Sequence, residues 1–357
     1  MKKPTLQDVA AAAGVSYATA DRVLNARGGV AEKSEARVRE AIRRLGYVRD
    51  IHAANLSRRR VYAFRFLLPA GDHGFFARLR AALLAERPRR AADRIEIAFQ
   101  EVPAFDAEAL ADALEALAPE DCDGLAVVAA ESPRVAQALA RLRAQGVPVV
   151  ALVADAGPEA RDFYVGVDNL GAGRTAGRLI RLAHGGGRRG LVLPILGTPA
   201  ARDHRDRLEG LRQVLAEGPE PLAALPALEA RDDPARMKAL AREALRADPA
   251  PTAVYSMGAG NRGLIEALRE AAPERRPMVA LHELTPHSRK ALAENLIDVV
   301  IDQKPAREIA AALDALKALA DGRAIPAGLG AITPALHLKD NTPAAPSARE
   351  ASGDLFA

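Results

Sequence analysis

One cysteine in 357 residues leaves no partner for a disulfide within the chain. Cys122 lies between Asp121 and Asp123-Gly124 and leads into an apolar strand, the setting of a buried, inert thiol rather than a nucleophile. No stretch approaches the ~18 consecutive apolar residues of a membrane span. Met1-Lys2-Lys3 is followed by Pro4, Gln7 and Asp8, not by the apolar stretch of a secretory signal. These absences fit a reducing, cytoplasmic setting. The seven histidines form no His-x-x-x-His pair and no cluster with Cys122, so no metal site is expected. No Gly-x-Ser-x-Gly elbow occurs, and Gly185–Gly190 lacks the Lys-Ser/Thr of a phosphate loop.

What is present is enough apolar material, 49% of residues, to fill the cores of two or three domains. The net charge of +4 is unevenly spread. Residues 1–60 carry thirteen Lys and Arg against six Asp and Glu, a net of +7, so the other 297 residues sum to −3. A basic head on a mildly acidic body assigns affinity for a polyanion to the head. A solvated basic face gives the same charge, and 42 Arg against 8 Lys shows a general arginine bias.

Thr5 to Tyr47 reads as three short helices. Thr5 is a good N-cap for Leu6 to Ala13, and Gly14-Val15 turns the chain. Ser16 caps a second helix, Tyr17 to Asn25, with Ala20, Val23 and Leu24 facing inward. A third, Ala31 to Leu45, carries Val38, Ala41, Ile42 and Leu45 at helical spacing. Two helices joined by a glycine-containing turn can place the second in a DNA major groove, although the shape also serves as a plain structural corner. Tyr17, Ala18 and Arg22 project outward from that second helix. Arg22 can donate two hydrogen bonds to a guanine edge, Tyr17 can reach base edges or a phosphate, and Ala18 can pack on a thymine methyl.

Thr5-Leu6-Gln7-Asp8-Val9-Ala10, Ala13-Gly14-Val15-Ser16, Thr19, Arg22-Val23-Leu24-Asn25 and Leu45-Gly46-Tyr47 resemble the head of the lactose/purine repressor family, with that family's spacing. The resemblance implies an all-α helix-turn-helix domain over 1–48 that binds operator DNA, with Thr5, Ser16, Tyr17, Ala18, Thr19, Arg22 and Asn25 at the interface. It also implies a hinge over 49–60 that becomes helical only on the operator. Leu56, preceded by Ala53, stands where the family wedges a leucine into the minor groove. A segment this short does not hold a helix alone in water, so its folding can be coupled to DNA contact. The other reading of Leu56 is packing on the lobe below. Arg49, Asp50 and Asp21 depart from the family's usual proline, asparagine and serine, so the operator sequence does not carry over.

From Val61 to about Asn341 strands and helices alternate. Strand patterns run at Val61–Leu68, Ile95–Gln100, Gly124–Val128, Pro148–Val153, Tyr164–Val167, Gly190–Leu193, Ala253–Ser256, Met278–His282 and Ile297–Ile301. Helical patterns such as Arg78–Glu86, Pro133–Ala144, Ala172–Ala183 and Asp206–Leu215 separate them. The alternation predicts parallel sheets covered by helices on both faces, an α/β class. The strands are too many for one compact open sheet, and Gly185-Gly186-Gly187 divides them into two lobes. Residues 342–357 show no apolar period and read as a disordered tail.

The body resembles, over its whole length, the periplasmic sugar-binding-protein fold that this repressor family carries, a two-lobe core of parallel sheets (periplasmic-binding-protein type I-like). The resemblance implies three crossings between lobes, near His184–Arg188, Asp302–Pro305 and Gly330–Thr333. Lobe 1 is then about 61–184 and 305–331, and lobe 2 about 188–302 and 332–341. Open parallel sheets bind ligands beyond the carboxyl ends of their strands. Position by position, Asp168 matches an acidic pocket residue and Arg207, three before Gly210, an arginine that clamps ligand oxygens. Glu283 stands where the family usually has aspartate, and Gln303 matches a hinge glutamine that reaches the ligand. Such a set suits a polyol, a small sugar or sugar derivative, better than an anion. Phe75 and Phe76, with Phe163 or Tyr164, are candidates to stack on a sugar and equally candidates for core packing. Ser256-Met257-Gly258 and His282-Glu283-Leu284 depart from the family's pattern, which keeps a non-sugar metabolite open.

Gly258-Ala259-Gly260-Asn261-Arg262-Gly263 follows a strand and opens a helix, and Glu283 lies twenty residues beyond the last glycine. That is the outline of a dinucleotide fingerprint and of an NAD-dependent oxidoreductase. It follows the seventh of these strands rather than the first, and ranks second. The resemblance as a whole implies a repressor with no enzymatic activity and no cofactor. It would act as a homodimer over a near-palindromic operator, its lobe angle set by the ligand.

Overall fold

The structure, a computed structural model, describes residues 4–24, 28–47, 60–71, 74–185, 190–217, 222–271 and 276–344. The chain forms two compact units, Met1–Arg60 and Val61–Ala357.

In the first unit, α1 (Leu6–Ala13) starts on a reciprocal cap. The Thr5 hydroxyl accepts from Asp8 N at 3.3 Å, and the Asp8 carboxylate accepts from Thr5 N at 2.7 Å. Gly14 ends the helix in the left-handed region at φ +60°, where a side chain would be strained. Ser16 Oγ then accepts from Thr19 N at 3.1 Å and opens α2 (Tyr17–Leu24). The third helix, α3 (Glu32–Leu45), stops on a second left-handed glycine, Gly46. Val9, Ala10, Ala13, Ala20, Val38 and Ala41 form the core. Asn25 of the expected interface, and Ala53 and Leu56 of the expected hinge, lie outside the described residues.

The second unit holds two sheets. Lobe 1 contains β1 (Tyr62–Pro69), α4 (Gly74–Ala91), β2 (Ile95–Val102), α5 (Ala107–Glu115), β3 (Gly124–Val127), α6 (Pro133–Ala144), β4 (Val149–Leu152) and β5 (Phe163–Val165). Its strands are all parallel, in the order β2-β1-β3-β4-β5. Their near-continuous Val, Leu and Phe runs are what burial on both faces requires. Helix α4 runs past Pro88, well beyond the Arg78–Glu86 pattern, and Arg89 and Arg90 pair back onto Glu86 at 3.0 and 2.8 Å across the proline.

After β5 come α7 (Asn169–His184), β6 (Leu191–Leu196), α8 (Arg202–Leu215), β7 (Ala223–Ala224), β8 (Leu228–Glu229), α9 (Pro234–Arg246), β9 (Ala253–Ser256), α10 (Asn261–Glu270), β10 (Met278–His282), α11 (Pro286–Ala293) and β11 (Val299–Asp302). They build lobe 2, in the order β11-β10-β9-β6-β7, with β8 also on β6 and a last strand, β12 (Ala335–His337), outside β11. The chain returns to lobe 1 for α12 (Pro305–Ala320) and ends with β12 (Ala335–His337), antiparallel to β11. Ile309, Leu313 and Leu316 of α12 share a core with Phe64, Phe66 and Val150. Cys122 is buried in the other core of lobe 1, and that burial pushes its thiol above the usual range.

The expected first crossing needs correction. Ala176 and Ile180 of α7 pack with Val192, Leu196 and Leu211, so α7 belongs to lobe 2 and the crossing falls at Gly166–Asp168. Gly185 is a helix stop, φ +64° with its N–H on Leu182 O, and not a boundary between lobes. The second crossing lies at Asp302–Pro305 and the third after Gly330. There Gly166 bridges Ala331, and Lys304 Nζ donates to Thr333 O at 2.7 Å.

Helices α7 and α8 touch backbone to backbone. A Cβ on Gly173 would stand 2.0 Å from Arg207 O, and one on Gly210 would stand 2.1 Å from Leu170 O. Gly210→Ala should therefore cost about 1–3 kcal/mol by overpacking, read as a lowered midpoint in urea. An unchanged midpoint would show that the crossing is not close.

Candidate functional site

Between the lobes lies a cavity of about 250 Å3. It is walled by residues that follow strands: Val153 after β4, Asp232 after β8, Met257–Gly260 after β9, Glu283 after β10 and Gln303 after β11. Carboxyl ends of parallel strands converge there. Arg207, projecting from the crossed helix α8 and only 2% exposed, is the hub. Its Nε donates to Asn169 Oδ1 at 2.9 Å, Nη1 to Met257 O at 2.6 Å and Nη2 to Gln303 Oε1 at 2.9 Å. Gln303 Nε2 in turn donates to Glu283 Oε1 at 2.6 Å. Three of the residues expected from the sequence, Arg207, Gln303 and Glu283, thus form one hydrogen-bonded chain. Phe75 and Phe76 line the same cavity, edge to face with centroids 5.2 Å apart.

Other expected residues do not reach it. Asp168 is exposed and outside the lining, because its carboxylate caps α7 by accepting from Gly171 N at 2.9 Å. The neighbouring Asn169 faces inward in its place. Phe163 and Tyr164 also lie outside the lining, and the Tyr164 hydroxyl sits 2.8 Å from Val153 O and 3.0 Å from Val167 O. Sequence reasoning missed Asp203, Asp232, Asn261 and His282, which all line the cavity. It also missed Arg78, which reaches from lobe 1 to Asp302 at 2.7 Å and to Glu283 Oε2 at 3.5 Å.

Burial sets the charge states. Glu283, 7% exposed, has its carboxyl pushed up to about 8 by desolvation and then by the negative Asp302. Its Oε2 has no hydrogen-bond partner among the described residues. Glu308, wholly buried in the first turn of α12, is raised well above the usual range by burial and by Glu283. Desolvation also acts on Asp302, but the Arg78 hydrogen bond and charge outweigh it and hold that carboxyl low. Burial and the Arg207 cation keep the His282 imidazole neutral, with Nε2 2.7 Å from the Tyr255 hydroxyl.

In the first unit, α2 buries only Ala20 completely and leaves Tyr17 (58% exposed), Ala18 and Arg22 on its outer face. Thr5, Ser16 and Thr19 are partly or wholly engaged in the caps of α1 and α2.

Two lobes of parallel sheet closed around a polar cleft define a binding-protein core of the periplasmic type, and the periplasmic binding protein domain model matches residues 64–324. The model for bacterial regulatory proteins of the lacI family matches residues 5–50. The chain belongs to the lacI family of bacterial regulatory proteins, with a periplasmic binding protein domain as its core.

Among curated relatives, it is 27% identical over 224 residues to the HTH-type transcriptional regulator DegA of Bacillus subtilis (strain 168), covering 62% of this chain and 63% of that one. To the HTH-type transcriptional regulator CelR of Thermobifida fusca it is 29% identical over 226 residues, covering 60% and 62%. The chain thus spans less than two thirds of either relative's length.

Solved structures share the fold. An ABC transporter solute-binding protein from Burkholderia graminis in complex with D-arabinose superposes with TM-score 0.69 at 22% identity, covering 79% of this chain and 96% of that one. GanP, a glucose-galactose binding protein from Geobacillus stearothermophilus, gives 0.70 at 18% identity, covering 80% and 100%.

The oxidoreductase reading does not hold in a family of regulators. The glycine motif has another use: a Cβ on Gly263 would stand 1.9 Å from Pro234 O, so the glycine lets α10 lie against α9.

Because the folded chain holds the Glu283 proton more tightly than the unfolded chain does, this carboxyl's stabilising contribution is complete below about 4.5 and is lost as pH rises through about 8. Glu283→Gln, which keeps the neutral form, should flatten the fall of melting temperature over that window. An unaltered slope would show that Glu283 is ionised throughout.

Proposed function

We propose that this chain is a ligand-responsive transcriptional repressor that binds operator DNA as a homodimer in the cytoplasm and senses a small sugar or sugar derivative between its lobes. The observation that carries the DNA-binding half is the outer face of α2, where Tyr17, Ala18 and Arg22 stand clear of a core already closed by α1 and α3. Exposed on one short helix after a glycine turn, they fit a major groove. Thr5, Ser16, Thr19 and Asn25 complete the interface, and Ala53 and Leu56 act in the minor groove.

The sensing half rests on the buried chain Arg207–Gln303–Glu283. Arg207 donates, Gln303 both donates and accepts, and neutral Glu283 does the same. A set of this kind matches vicinal hydroxyls, each of which is donor and acceptor at once. Two solved neighbours are named for D-arabinose and for glucose and galactose, in agreement with a sugar. Arg78 and the ion pair of Glu131 with Arg205 join the lobes across the cleft. A ligand with different affinity for the closed and open arrangements shifts their populations.

Arg22→Ala should weaken binding to an operator selected from the organism's own genome by about 5- to 150-fold, the worth of one bidentate base contact. Most of its affinity for random DNA should survive. Equal operator affinity by fluorescence anisotropy would refute the recognition helix. Gln303→Ala should abolish the rise in melting temperature given by a panel of pentoses and hexoses yet leave operator binding intact. A persistent rise would remove Gln303 from the site.

A further inference from the structure

A second chamber, about 120 Å3, adjoins the polar cavity on the side of lobe 1. Phe76, Val153, Asp203 and Asp232 line both, so the two are continuous across a shared wall. Beyond that wall the second chamber is apolar, with Leu68, Pro69, Phe105, Leu110, Val128 and Ala130 among its walls. Four of its five polar side chains, Asp106, Glu131, His204 and Asp232, are already hydrogen-bonded or ion-paired. Asp106 caps α5 by accepting from Ala109 N at 2.9 Å, and Glu131 pairs with Arg205. His204 Nδ1 takes Thr198 N at 3.4 Å, and Asp232 takes Ala259 N at 2.8 Å. Asp203, on the shared wall, stands 3.9 Å from Arg207 and from His204. The cleft is therefore two-faced along its length, amphoteric at Arg207–Gln303–Glu283 and hydrocarbon toward β1 and β3.

A free sugar carries hydroxyls around its whole ring. Those turned toward Pro69, Val128 and Ala130 would lose water and gain no partner there. An apolar group in the same place gains by leaving water. The volume compares with the roughly 150 Å3 apolar cavities that take up benzene, and Phe76 and Phe105 offer rings against which an aromatic group packs.

Building on the sugar reading above, we propose that the effector is a sugar bearing an apolar substituent, an aryl or alkyl glycoside. Its ring hydroxyls are held by the Arg207 network and its aglycone fills the lobe-1 chamber. Asp203 and Asp232 lie at the junction, where the glycosidic end of the ring passes from one chamber to the other.

The test is calorimetric titration of the full-length protein with D-arabinose, D-glucose and D-galactose, each as the free sugar, the methyl glycoside and the phenyl glycoside. The expected result is one phenyl glycoside that binds at least tenfold more tightly than its free sugar and its methyl glycoside. Ala130→Asp, which sets a carboxylate in the apolar chamber, should bring that ratio close to one. Ala104→Asp, on the loop after β2, provides the same readout if the first variant fails to fold. Free sugar binding as tightly as every phenyl glycoside overturns the apolar subsite and leaves the sugar reading standing. An advantage that survives in either folded variant also overturns the placement of the aglycone. Binding of no sugar and no glycoside overturns both readings.

Discussion

A buried guanidinium sits at the centre of the binding core, and the rest of the cleft is arranged around the need to pair its N–H groups. Arg207 is shielded from water, so its N–H groups must find acceptors from the protein. It finds them on the start of α7, at the end of β9 and after β11. Three separate segments are thereby drawn to one point, and removing any one partner would leave a buried cation short of a bond. Gly173 and Gly210 let the helix that carries Arg207 come close enough to reach all three. Neighbouring carboxyls respond in opposite ways. Asp302, with Arg78 hydrogen-bonded against it, stays ionised, while Glu283 and Glu308, desolvated and facing like charges, keep their protons.

Much of this was legible in the sequence where one residue type carries one physical meaning. Pro133–Ala144 is a helix over the residues its apolar pattern marks, and the apolar runs at Ala253–Ser256 and Met278–His282 are strands over the same residues. Residues directly after strands wall the cavity, and Glu283 and Gln303, expected from the resemblance, stand among them. Asp168 misled because a carboxylate after a strand has two uses, ligand and helix cap, and the cap is satisfied locally with no trace in spacing. The glycine run after His184 misled for a similar reason, since a helix stop and a boundary between lobes call for the same residue. Asp232 follows β8, a two-residue strand too short to show any period. Arg78 and Asp302 lie 224 positions apart, beyond any local pattern.

The cleft also shows how a fold shared at about 20% identity takes on its own chemistry. Backbone geometry keeps the strand ends in place and fixes where ligand-facing residues stand. Which residues stand there is free to vary, and here Pro69, Ala129 and Ala130 at the ends of β1 and β3 give one half of the cleft a hydrocarbon lining.

The threading of the chain has a consequence for its birth on the ribosome. Lobe 1 begins at Tyr62, yet α12, whose Ile309, Leu313 and Leu316 fill one of its cores, is translated only after all the strands of lobe 2 but β12. Until residue 320 has cleared the exit tunnel, the face of the first sheet that carries Phe64, Phe66 and Val150 is covered only in part, by Phe75, Leu79 and Leu83 of α4. Lobe 2, lacking only a short edge strand, has its core complete in the nascent chain before lobe 1 does.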